Sequence, residues 1–232
     1  MILEMPSGSV NGTVSPRPHE VESADTTSTS GSLPAGTVRS ESADTDRPTS
    51  RSPRQRDHLT ESEIDRLMAI ARRDARYGHR DATAVLVAYR HGLRSSELVA
   101  LEWDQFDLAR KTVRLWRVKG GDPSTHYLSN SELRALRRLQ RENPPGPHVF
   151  MSERGGPVTT AWFRKMMARL GERAGMPFKV HPHQLRHSIG YLYANQGKDT
   201  RSLQAFLGHR NIQSTVRYTK MSPTRFKGWE RD

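Results

Sequence analysis

The chain has 232 residues, with 37 Lys and Arg against 25 Asp and Glu, a formal net charge of +12. It has no cysteine, which excludes a disulfide framework, a thiolate metal site and a thiolate nucleophile. No stretch approaches the roughly 18 apolar residues of a membrane span. The start MILEMPSGSV has neither the basic nor the apolar region of a signal peptide, so a cytoplasmic location is expected.

Charge and aromatic content divide the chain unevenly. All sixteen Phe, Trp and Tyr lie beyond residue 57, the first being Tyr77. Residues 1–57 are rich in Ser, Thr, Pro and Gly and hold six basic against eight acidic residues, a net of −2, so residues 58–232 carry +14. Such a stretch cannot bury enough apolar surface to offset the entropy of ordering, so it is expected to be a disordered tail. Residues 58–232 suffice for one domain with its own core. Positive charge concentrated on a single domain points to a polyanion, and in the absence of membrane signals to nucleic acid.

The domain is expected to open with a helix at the capping box Thr60-x-x-Glu63, which places Ile64, Leu67, Met68 and Ala71 on one face. A second helix, about Asp81 to Arg90, is apolar on nearly all sides and therefore central, with Gly92 at its C-terminal end. Ser95 or Ser96 is expected to cap a short helix SELVAL, leaving Arg94 in the turn. TVRLWRV then shows strand alternation, Lys119-Gly120-Gly121-Asp122 reads as the reversal and STHYLS as the returning strand. A short strand near Gln105 to Leu108 would complete a three-stranded antiparallel sheet. Helices SELRALRRLQREN and TAWFRKMMARLGERA follow, the second opened by Thr159 or Thr160. Residues 181–218 read as helix, turn, helix, turn. The expected class is α+β, mainly α-helical with one small sheet.

Taken singly, the polar residues have ordinary explanations. Arg94 at a helix junction reads as a surface residue, Lys119 as an edge charge, and Tyr218 as core. His183 and His187, four apart, could share a metal with His181 or His209, but no HExxH arrangement accompanies them, and no metal or cofactor is expected. Together, however, HGLRSSELVALEWDQFDL, a hairpin lysine, HPHQLRHS and LGHRNIQSTVRY resemble the tyrosine recombinases, the phage integrase family. Arg186 lies three residues after His183, His209 twenty-three after Arg186, and Tyr218 nine after His209. AYRHGLRSSEL, GKDTRSLQAFLGHRNIQSTVRYT and RFKGWER are most similar to the Fim-type members, which invert a promoter element. As in those members, no separate core-binding domain is expected before residue 58.

The resemblance implies a metal- and ATP-independent enzyme that cuts and rejoins DNA through a 3′-phosphotyrosyl intermediate. Tyr218 would be the nucleophile, Arg94 and Arg186 the clamps on the non-bridging oxygens, and His209 a phosphate donor. His183 would be the base, and Lys119 the acid for the leaving 5′ oxygen, with Lys111 its nearby competitor. Forked guanidiniums suit phosphate geometry in a way that a lysine does not. The implied partners are double-stranded DNA with inverted-repeat sites, three further copies in a homo-tetramer, and accessory DNA-bending proteins, with Phe226 and Trp229 as anchors either on the next copy or on the protein's own body. Base readout is expected near Arg94 and across residues 158–173. A non-enzymatic DNA-binding regulator of the same fold and a type IB relaxing enzyme are the alternatives.

Overall fold

The second helix is buried along nearly its whole length, because residues 82–89 are almost wholly apolar. A computed structural model describes residues 56–74, 76–117, 121–220, 222–226, 228 and 229; most of the expected tail and Lys119 lie outside these. Glu61–Arg72 (α1) opens on the Thr60 and Glu63 capping box and buries Ile64, Leu67, Met68 and Ala71. Gly78–Arg90 (α2) begins three residues before its expected start and buries a continuous run from Arg80 to Tyr89. The two charged members of that run satisfy each other, since Arg80 donates through Nε and Nη2 to Asp81 Oδ1 at 2.9 and 2.8 Å. The helix packs on α1 and on two helices introduced below, at residues 130–142 and 182–195.

Gly92, at φ +58°, turns the chain out of α2 into Ser95–Val99 (α3). A side chain there would meet Leu207 Cδ2 at 2.7 Å, so both the dihedral and the space require glycine. Neither serine caps α3. The N-cap is Arg94, and the capping group is Glu97, whose carboxylate accepts from the Arg94 backbone N–H at 3.0 Å.

Phe106–Asp107 (β1), Thr112–Arg117 (β2) and Gly121–Tyr127 (β3) form the antiparallel sheet, in the order β1-β2-β3. The returning strand starts at Gly121, so Gly121 and Asp122 belong to β3 rather than to the reversal. Asn130–Glu142 (α4), capped by Ser129, and Thr160–Arg173 (α5), capped by Thr159, complete the first part of the domain. Pro182–Asn195 (α6) starts with proline at its first position, where the missing N–H is no loss. Thr200–Leu207 (α7) is capped by Asp199 and ended by Gly208 in the left-handed region, and Gln213–Lys220 (α8) carries the late tyrosine. Residues 56 and 57, which composition places in the tail, contact the domain: the Arg56 carbonyl accepts from Gln184 Nε2 at 2.8 Å, and Arg217 pairs with Asp57 at 3.3 Å.

Candidate active site

Helical spacing places His183, Arg186, His187 and Gly190 along one side of α6, and the α2–α3 turn, α7 and α8 close around that side. Arg186 is 1 % exposed. Its Nη1 donates to the Gly92 carbonyl and its Nη2 to the Leu207 carbonyl at 2.6 Å, so one guanidinium ties the turn after α2 to the last residue of α7. Burial, together with Arg94, lowers its pKa to about 10.

Arg94 and Arg186 converge on Glu97. Arg94 Nη1 pairs with Glu97 Oε1 at 2.7 Å, and Arg186 Nη1 stands 4.0 Å from Glu97 Oε2. The buried carboxylate loses solvation, yet backbone and guanidinium hydrogen bonds hold its pKa below the usual range. Neighbouring cations repel, so a buried anion between them is what lets two guanidiniums stay close before a phosphate arrives.

His209 follows the left-handed Gly208, and its Nδ1 is held by Thr215 Oγ1 at 2.8 Å, which leaves Nε2 for another partner. Burial and the charges of Arg186 and Arg94 lower its pKa to about 3. His183 is lowered for the same reasons, so both rings are neutral at pH 7. Tyr218 is 1 % exposed and lies with its ring on Gly190, where an added Cβ would stand 2.9 Å from Tyr218 Cζ. The His209 and Tyr218 rings are nearly parallel, with centroids 6.4 Å apart. Desolvation raises the Tyr218 pKa, against the pull of Arg186 and Arg217.

The Tyr218 hydroxyl meets His187 Nδ1 at 2.8 Å. His187 in turn stacks edge-on to His183, with ring centroids 4.6 Å apart, and burial and His183 lower its pKa to about 4. A neutral His187 is thus the hydrogen-bond partner of the phenol, and His183 stands one ring further back. Arg94, His183, Arg186, His209 and Tyr218 come together; Lys119 lies outside the described residues. Its competitor Lys111 bonds Asn130 Oδ1 at 3.1 Å. Phe226 and Trp229 are about half and three-quarters exposed and meet edge to face, with ring centroids 5.2 Å apart.

Three participants escaped the sequence reading. Glu97 was hidden by the serines, although its place three residues after Arg94 is capping-box spacing. His187 follows Arg186 directly but was weighed only as a metal ligand. Arg117 shares strand parity with the buried Val113 and Leu115, which marks it as facing inward.

The phage integrase family model matches residues 57–225. Type 1 fimbriae regulatory protein FimB of Escherichia coli (strain K12) is 38 % identical over 184 residues, covering 77 % of this chain and 92 % of that protein. Tyrosine recombinase XerC of Bacillus subtilis (strain 168) is 30 % identical over 177 residues, covering 71 % of this chain and 57 % of that protein. Among solved structures, the XerA recombinase superposes with a TM-score of 0.66 at 25 % identity, over 78 % of this chain and 68 % of that one. With two arginines gathered on one carboxylate beside a histidine and a buried tyrosine, and with this match across most of its length, the chain belongs to the phage integrase family, the tyrosine recombinases.

Proposed function

We propose that the protein is a site-specific DNA recombinase in which Tyr218 attacks a backbone phosphate. The observation that carries this reading is the convergence of Arg94 and Arg186, from segments about ninety residues apart, on one carboxylate beside His209 and Tyr218. A phosphate entering there would take over the guanidiniums' spare donors, and preorganised charge of this kind is the largest catalytic contribution expected without a metal. His209 Nε2 would donate to a non-bridging oxygen. His187 or, once the ring has moved, His183 would accept the phenolic proton, as neutral imidazoles can. Attack forms the Tyr218 Oη–phosphorus bond at the 3′ end and breaks the bond to the 5′ oxygen, which takes a proton; Lys119 is our choice of donor. The linkage keeps the bond energy, so a 5′ hydroxyl of another strand reverses the step.

Because the Tyr218 ring is buried on Gly190, attack requires α8 to lift it away. The similarity to FimB favours inversion of a DNA segment between inverted repeats, by four copies of the chain with accessory DNA-bending proteins. No helix among the described residues is long and apolar enough to cross a membrane, in keeping with a DNA-associated protein of the bacterial cytoplasm.

The test is covalent capture. The protein is incubated with fragmented genomic DNA of its source, denatured, and the DNA ends still attached are sequenced. Wild type should yield adducts at inverted repeats, while Tyr218→Phe binds the same DNA and yields none. Adducts that survive this substitution would remove Tyr218 from its role.

A further inference from the structure

We infer that Arg117 is a positioning residue for the two phosphate-holding elements of the site, kept in place by a buried His126–His91–Glu132 chain. This rests on the recombinase reading above. Arg117 stands at the end of β2 with its side chain wholly buried, so it cannot touch DNA itself. Its Nη1 donates to Glu97 Oε2 at 3.1 Å, the oxygen facing Arg186, while Glu97 Oε1 holds Arg94. Its Nη2 donates to the Phe206 carbonyl in α7. Its aliphatic stem fills the space above Gly208, where an added Cβ would stand 2.5 Å from Arg117 Cγ. One side chain therefore sets both the carboxylate shared by the two arginines and the turn that carries His209.

One arrangement of protons suits the hydrogen bonds behind Arg117, and the last step, from His91 to Glu132, is an ion-pair contact rather than a hydrogen bond. Arg117 Nη2 lies 3.5 Å from His126 Nε2, so the cation selects the tautomer whose lone pair is on Nε2; the Ser124 hydroxyl, at 3.1 Å, donates to the same atom. The His126 proton then sits on Nδ1 and is donated to His91 Nδ1 at 3.1 Å. That leaves the His91 proton on Nε2, 2.9 Å from Glu132 Oε1. Glu132 is fixed in turn by the backbone N–H and hydroxyl of Ser129 at the start of α4. His126 also stacks on Phe206, with centroids 4.4 Å apart. Donation thus runs from Arg117 through His126 to His91, whose Nε2 stands against the Glu132 carboxylate that Ser129 holds at the start of α4, and it keeps His126 neutral in support of Arg117.

The experiment uses single-turnover cleavage of a duplex carrying the captured site, with the scissile phosphate either natural or replaced by a methylphosphonate. The methyl group removes the charge that Arg94 and Arg186 must hold, so any defect that acts through those arginines should shrink on it. On natural DNA, Arg117→Met should cleave about 100-fold more slowly, the scale of an ångström-level misplacement, with unchanged DNA affinity. On the methylphosphonate, most of that loss should disappear. His126→Phe, which keeps the stack on Phe206 but removes both ring nitrogens, should behave the same way. His126→Gln, which supplies a carbonyl towards Arg117 and an N–H towards His91, should recover most of the activity. Equal losses on both duplexes for both Arg117→Met and His126→Phe would overturn the positioning role. Failure of the wild type to form any adduct would instead remove the recombinase reading on which it rests.

Discussion

Arg94 and Arg186 carry the same guanidinium and lean on the same carboxylate, yet the protein treats them differently. The Arg94 side chain is 26 % exposed, and its described side-chain hydrogen bond is the one to Glu97. Arg186 is almost wholly buried and spends two donors on backbone carbonyls of separate segments. The first is available to a ligand at little structural cost, whereas the second is part of what holds α2, α6 and α7 together. Two residues to which we assign the same task can therefore be told apart by stability alone.

The sharpest break of this comparison is Arg186→Met against Arg94→Ala. Losing Arg186 leaves two buried carbonyls without donors and Glu97 short of a cation, which should cost about 3–5 kcal/mol. Losing Arg94 removes one partly exposed pairing from a carboxylate that keeps Arg117, which should cost about 1 kcal/mol. Both should abolish covalent capture. Urea unfolding midpoints separate the two, and equal midpoints would show that Arg186 is no more structural than Arg94.

Acid should weaken the buried side of the site before it affects the exposed side. His126, His187 and His209 have folded pKa values lowered to about 3, 4 and 3. An unfolded histidine takes up its proton near pH 6.5. Between those values the unfolded chain binds more protons than the folded one, so stability falls as pH drops from about 6.5 towards 4. Below about pH 4.5 the lowered carboxylates Glu97 and Glu132 add to the loss, because their contribution is present above the unfolded value and disappears as they protonate. The slope of unfolding free energy against pH should flatten in His187→Gln, and an unchanged slope would remove His187 from the cause.

Gly190→Ala tests the bed on which the Tyr218 ring lies. The new methyl would stand 2.9 Å from Tyr218 Cζ and 3.0 Å from Cε1, too close for either to remain. Overpacking of this kind costs about 1–3 kcal/mol, and the ring is the part free to give way. Chemical nitration followed by peptide mapping should then find Tyr218 more reactive than in the wild type. Unaltered reactivity would mean that α6 moves instead.

How much of this was readable in advance follows from the range of the interactions. The helices announce themselves because caps and apolar stripes are local: Thr60 with Glu63 marks a true start, and Thr159, one of two candidates, marks another, whereas Ser129, which reads as the end of the returning strand, caps α4 with Glu132. The set of Arg94, His183, Arg186, His209 and Tyr218 came from the resemblance of four separated motifs to the tyrosine recombinases, since each residue alone reads as ordinary. What those signals do not carry is who bonds whom. Glu97 was overlooked because serine is the commoner capping group, and Arg117 because an arginine in a strand reads as outward until its parity is counted. That the phenol meets His187 rather than His183 depends on how α8 lies across α6, a packing angle that no spacing encodes.

The smallest effect tests whether His209 is aimed as well as present. Thr215 is fully buried, and its hydroxyl is the only described hydrogen-bond partner of the His209 ring. Thr215→Val keeps the shape and removes that bond, which should cost about 1 kcal/mol of stability. If His209 donates to the phosphate through Nε2, freeing Nδ1 lets the ring turn and lose its tautomer, so cleavage should fall about tenfold, more than a stability loss of that size would produce in a protein that stays folded. Thr215→Ser restores the hydroxyl and should restore the rate. Single-turnover cleavage of the three variants decides the matter: if Thr215→Val cleaves at the wild-type rate, His209 is held by its packing beside Tyr218, and the hydroxyl serves only to satisfy a buried nitrogen.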